Sequence, residues 1–209
     1  MASRNGETEF TTISLSQSAP AALDRRTGQR YMTVLQAGKL VTGRFQELCL
    51  IRNISSGGMM AEIFAPVDDG EQVGVEFKAG TVIDGVVRWV RDGRSGIEFF
   101  EKIDVHEVLA PHRGRMSPRS PRLDIDGMAT LEIEDDEIEL PVLDISQGGI
   151  KVSIHPVLEP GLDLIVNIEG LPLRASAVRW TGDEYAGIAF NNIMPLSKVA
   201  YWAARQQPK

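Results

Sequence analysis

Asn53-Ile54-Ser55-Ser56-Gly57-Gly58-Met59 returns as Asp144-Ile145-Ser146-Gln147-Gly148-Gly149-Ile150, at a separation of 91 residues. The same separation joins Val87-Arg88-Trp89 to Val178-Arg179-Trp180, and Gly96-Ile97-Glu98-Phe99 to Gly187-Ile188-Ala189-Phe190. One offset held through separate landmarks identifies two copies of a single module. A unit of that length is too long for a solenoid repeat, so each copy is expected to own a core. Differences between the copies then become the main functional signal.

The local signal within each copy is strand. Val73, Val75 and Phe77 alternate, as do Leu162, Leu164, Val166 and Ile168, which places each set on one face of a strand. Glycine-containing breaks at Gly57-Gly58, Asp68-Asp69-Gly70, Lys78-Ala79-Gly80 and Asp92-Gly93 divide the first copy into about six short strands. The second copy breaks similarly at Gly148-Gly149, Glu159-Pro160-Gly161, Glu169-Gly170 and Gly182-Asp183. Six short antiparallel strands protect their edges by closing into a barrel. Helical signal follows the last strand of each copy. It is weak over Ile103 to Leu109 and clearer over Leu196 to Arg205, where Leu196, Val199, Ala200 and Ala203 share a face. The expected fold is mostly β: two tandem six-stranded antiparallel barrels, each with a short C-terminal helix.

Around these copies, residues 1–23 are rich in Ser, Thr and Ala and read as a flexible N-terminal tail. The first domain is expected over 24–110 and the second over 123–209. The Pro/Arg/Ser segment 111–122 between them has almost nothing to bury and reads as a junction. Each barrel can bury only a modest core, so the two are expected to lean on each other or on a second chain, as in a homodimer.

The net charge of −7 over 209 residues disfavours general attraction to DNA, RNA or anionic lipid. A single cysteine, Cys49, excludes an intramolecular disulfide and a cysteine-based zinc site, and the three histidines form no ligand pattern, so no metal is expected. No apolar run reaches the length of a membrane span, and the expected setting is the cytoplasm. Glycine loops for nucleotide phosphates, nucleophile elbows and zinc-protease motifs are missing from the sequence, so neither a cofactor nor catalysis is expected.

Two segments carry candidate binding chemistry. Ahead of the first strand, Asp24-Arg25-Arg26-Thr27-Gly28-Gln29-Arg30 places three arginines in a short segment with no apolar face. Guanidinium forks can grip phosphate oxygens bidentately, stack on a base, or donate to guanine O6 and N7. Taken alone, such a loop reads as solvated surface. The second segment, Asn53-x-Ser55-x-x-Gly58, sits where an apolar strand meets a glycine turn. Its structural reading is a turn closed by side-chain hydrogen bonds, with glycines that allow positive φ. Its functional reading has Asn53 accept from guanine, Ser55 reach phosphate, and Gly58 admit a bulky ligand.

Together the segments change the reading. Arg26 and Arg30 in an RxxxR pattern, followed by Asn53, Ser55 and Gly58 in an Asp/Asn-x-Ser-x-x-Gly pattern, resemble the signature of the PilZ domain family. The later Arg88-Trp89 and Gly96-Ile97-Glu98-Phe99 are similar to that family's next stretch, and the resemblance runs through both copies. It implies a receptor for the bacterial second messenger cyclic di-GMP, with Arg26 and Arg30 on phosphates and guanine edges and Asn53, Ser55 and Gly58 on the barrel. Arg25 is a further candidate, at a position associated in the family with two stacked ligand molecules. Outputs in the family include motility, surface polysaccharide and biofilm control. With no catalytic, DNA-binding or membrane segment attached, the signal is expected to leave through an unidentified protein partner. The competing reading is a ligand-independent adaptor acting only through protein contacts.

The second copy keeps Asp144, Ser146 and Gly149 but departs in its arginines. Arg115 and Arg119 have the RxxxR spacing, while alignment through the flanking strand puts Arg122 opposite Arg30, with Pro118 four residues earlier. Losing one charge-assisted grip removes about 1.5–3 kcal/mol, so the second copy is expected to bind poorly. Arg119, Arg122, Asp144, Ser146 and Gly149 are its doubtful set. Trp89 and Trp180 are expected to fill the barrel or its end, and Cys49 to be a packed strand residue. Tyr201 and Trp202 look exposed and suited to a helix-mediated contact.

Overall fold

A computed structural model describes residues 32–77, 81–110 and 120–206. The first copy forms β1 (Met32–Val41), β2 (Gln46–Ser55), β3 (Gly58–Glu62), β4 (Gln72–Glu76), β5 (Val82–Arg91), β6 (Arg94–Phe99) and the one-turn helix α1 (Val105–Leu109). The second forms β7 (Leu123–Ile133), β8 (Asp136–Ser146), β9 (Gly149–Ser153), β10 (Asp163–Asn167), β11 (Arg174–Thr181), β12 (Tyr185–Phe190) and α2 (Leu196–Gln206). Each set of six strands closes into an antiparallel barrel, in the orders β1-β2-β3-β6-β5-β4 and β7-β8-β9-β12-β11-β10. Neither helix is long and apolar enough to cross a membrane.

The alternation read from sequence sets the barrel interiors. Val73, Val75 and Phe77 are at most 3% exposed, and the Phe77 ring meets Phe99 edge-on at 6.4 Å. Leu164, Val166 and Ile168 line the second barrel in the same way. Cys49 is fully buried, as expected, and burial pushes its thiol pKa up, away from any nucleophilic role.

The 91-residue offset extends to the irregularities. Ladder shifts at Thr33/Gln36, Ile51/Asn53 and Val87/Trp89 recur at Asp124/Gly127, Val142/Asp144 and Val178/Trp180. A bulge adds one residue and turns the following side chains to the other face. That corrects the tryptophan expectation. After the shift at Arg88 and Arg179, Trp89 and Trp180 project outside their barrels and are 41% and 40% exposed. Each indole lies flat over a glycine on the next strand: a Cβ on Gly96 or Gly187 would overlap the Trp89 or Trp180 ring.

The barrels lean on each other through α2. Leu48 on β2 is 1% exposed and belongs to the second barrel's core, with Phe64 packed beside it. The Tyr201 ring of α2 meets Phe64 edge-on at 5.0 Å. Trp202 is buried, contrary to its exposed look in sequence, and its indole N–H donates to the Glu169 carbonyl at 2.8 Å. The helix-mediated contact read from sequence is therefore made within the chain, by Tyr201. Glu47, Leu48 and Cys49 are buried in succession. A strand covered on both faces loses its alternation.

Candidate functional site

The Asn53-x-Ser55-x-x-Gly58 segment spans the end of β2, its two-residue turn, and the first residue of β3. Ser55 Oγ donates to the Gly58 carbonyl at 3.1 Å. Ser146 Oγ donates to the Gly149 carbonyl at 3.3 Å and accepts from the Gly148 N–H at 3.3 Å. Both serines thus close their own turns. The glycines differ from expectation, since none in either motif has positive φ. Close approach is the reason for them. A Cβ on Gly58 would lie 2.5 Å from the Ile97 carbonyl oxygen, and one on Gly149 would lie 2.1 Å from that of Ile188. Without a side chain, β3 and β9 lie tight against β6 and β12.

The first motif residue is where the copies part. Asp144 is nearly buried, and its two oxygens are held by Arg122 Nη1 at 2.8 Å and Lys151 Nζ at 3.1 Å. The Lys151 ammonium also lies 5.4 Å from the Tyr185 ring centroid. In the first copy the cross-strand pair is Asn53 with Met60, where the second has Asp144 with Lys151. A neutral amide beside a thioether cannot build this ionic network.

The structure also corrects the register of Arg122. Met32 pairs with Ile54, and Leu123 with Ile145. Counting back one residue, Arg122 corresponds to Tyr31 and Pro121 to Arg30. The one basic residue of the second arginine set that is described is thus displaced by one position and bonded to its own barrel. A cleft of about 180 Å³ lies over this turn, lined among others by Arg122, Ser146, Gly149, Arg179 and Trp180. Of the second set, Arg122, Asp144, Ser146 and Gly149 are brought together, and Arg119 lies outside the described residues. Arg25, Arg26 and Arg30 lie outside them as well.

Around the first turn the neighbours are different. Arg88 Nε bonds Glu98 at 2.6 Å, whereas Arg179 faces a strand with Ala189 in the corresponding place. A cleft of about 810 Å³ opens beside Ser56, between Met32 and the segment leading into α1. Its size exceeds that over the second turn several-fold. Sequence reading missed Met60 and Lys151, although comparing the copies at β3 would have singled them out. Among the described residues there is no cluster of three His, Cys, Asp or Glu suited to a metal.

Comparison with protein families matches the PilZ domain over residues 24–110 and again over 115–199. Among solved structures, PlzA of Borreliella burgdorferi in complex with c-di-GMP is 13% identical, with 84% of this chain and 93% of that chain covered and a TM-score of 0.38. The inhibitor of motility MotI/DgrA of Bacillus subtilis is 16% identical over 82% of this chain and 96% of that chain, with a TM-score of 0.35. YcgR of Escherichia coli in complex with c-di-GMP is 11% identical over 81% and 80%, with a TM-score of 0.33. No match is found among curated proteins.

Proposed function

The chain belongs to the PilZ domain family, and from that premise we propose that it is a cyclic di-GMP receptor whose first barrel binds the dinucleotide. The observation that carries this assignment is the entry of β1 beside the motif. Met32 pairs with Ile54 and Thr33 with Asn53, so the chain leaves the barrel next to Asn53 and Ser55. The tether from Met32 back to Arg30 is two residues, about 7 Å when fully extended. On this reading Arg30, Arg26 and Arg25 contact the ligand at the barrel end that carries Asn53, Ser55 and Gly58. Their guanidinium groups suit the two phosphates and the guanine edges of the ligand.

The second barrel is assigned a supporting role. Its Asp144 is already neutralised by Arg122 and Lys151, so a guanine would have to break an ion pair in order to bind. Binding to the first barrel changes the charge and cover of its motif end, and the output is an altered contact with a protein partner in motility, polysaccharide or biofilm control.

Calorimetric titration of the full chain with cyclic di-GMP tests the assignment. Binding should be lost in Arg30→Ala and be nearly unchanged in Arg122→Ala. No binding by the wild-type chain at about tens of micromolar ligand would favour the ligand-independent adaptor instead.

A further inference from the structure

We propose that Lys102 is a phosphate-binding residue of the first barrel's site, a cation held on the barrel itself. This rests on the receptor assignment above. Lys102 lines the cleft beside the motif turn, together with Met32, Ser56, Asp104 and His106. Met32 is the first residue of β1, and Ser56 belongs to the turn itself. The cleft is thus lined by the start of β1, by the motif turn and by Lys102.

An exposed lysine is ordinarily a solvated one. Here the backbone around it is fixed. The Phe100 N–H donates to the Asp84 carbonyl at 3.0 Å, and the Ile103 N–H to the Ser56 carbonyl at 2.9 Å. Glu101, the acid next to it in the chain, is exposed and makes no ion pair with it among the described residues, and Asp104 uses Oδ1 to accept from the His106 and Glu107 amides and cap α1. Ile103 and Val105 pack on the barrel core. Lys102 therefore stands on an anchored segment with no ion-pair partner among the described residues.

The second copy shows that the frame does not require the charge. Met194 N–H donates to the Gln147 carbonyl at 2.7 Å, repeating the Ile103–Ser56 bond. The residue before it is Ile193, 75% exposed. The same backbone anchor carries a cation in the copy with the open motif and an isoleucine in the copy whose motif carboxylate is neutralised internally. A compact ammonium on a flexible stem with three donors suits a phosphodiester oxygen as a point charge.

Calorimetry with cyclic di-GMP on the full chain, with Lys102→Gln, Lys102→Arg and Lys198→Gln beside wild type, tests this. Lys198 is exposed on α2 of the other barrel and controls for loss of overall charge. Lys102→Gln should bind about tenfold more weakly, Lys102→Arg should recover most of that loss, and Lys198→Gln should stay within about twofold of wild type. Unchanged affinity in Lys102→Gln, or an equal loss in Lys198→Gln, overturns the role of Lys102 and leaves the receptor assignment standing. A wild-type chain that gives no binding overturns both.

Discussion

Lys151 Nζ lies 3.1 Å from Asp144 Oδ2, and Met60 and Asn53 occupy the same two places in the first barrel. One barrel thus meets its motif acid with its own cation, while the other has neither charge. The asymmetry makes the second motif part of its own barrel's stability.

Replacing Lys151 with Met should lower the stability of the chain by about 1–2 kcal/mol, because Asp144 is nearly buried and would keep only Arg122. The reciprocal Met60→Lys should change stability little, since Asn53 offers no charge. Urea unfolding of the two variants measures both effects, and equal effects would remove the distinction between the copies.

Gly96 and Gly187 are expected to be intolerant of alanine. A Cβ on either would lie about 2 Å from an indole nitrogen, so the tryptophan must lift from the strand. The expected loss is about 1–3 kcal/mol, typical of overpacking, with a shift in tryptophan fluorescence. Gly57→Ala, where a Cβ meets nothing within 4 Å, is the matched control.

Glu47 provides a pH signature. One carboxylate oxygen accepts from the Phe64 and Ala65 amides at 2.9 and 2.8 Å, while the other is buried without a partner. Burial raises its pKa from the usual 4.5 to about 7, against the lowering effect of the two amides. Folding therefore favours the protonated acid between these values. Its contribution is fully present below pH 4.5 and is lost as the pH rises through 7. Glu47→Gln keeps an acceptor for the two amides and should gain stability relative to wild type as the pH rises from 4.5 through 7. Parallel stability curves for the two proteins across that range would refute the shift.

The barrel–barrel contact should be measurable at Phe64 and Tyr201. A double-mutant cycle to alanine should give a coupling of about 0.5–1.5 kcal/mol, as expected for an edge-on aromatic pair. Phe64 also stands on the loop whose amides Glu47 holds. The coupling should therefore shrink in Glu47→Ala, where that loop loses its two hydrogen bonds.

The repeat made much of this architecture readable in the chain. An offset seen first at Asn53 and Asp144 extends to every strand and to each ladder shift. Alternation placed Val73, Val75 and Phe77 correctly, because one-sided burial leaves a period of two. The tryptophans were misplaced because a bulge resets that period, and nothing in the residue types around Arg88 announces it. The positive-φ reading of the motif glycines fails, since a close approach between strands is invisible until the strands are paired.

The sequence alone determined that there are two barrels, where their turns fall, and that their arginines differ. Which copy is internally neutralised was decided by strand pairing, which sets Lys151 beside Asp144 and Met60 beside Asn53. Tertiary packing also decided that Leu48 serves the core of the other barrel, where the second copy has Glu139. Periodicity records how a strand faces its own sheet. Only the folded chain brings residues far apart in sequence within the few ångströms over which charges and side chains act.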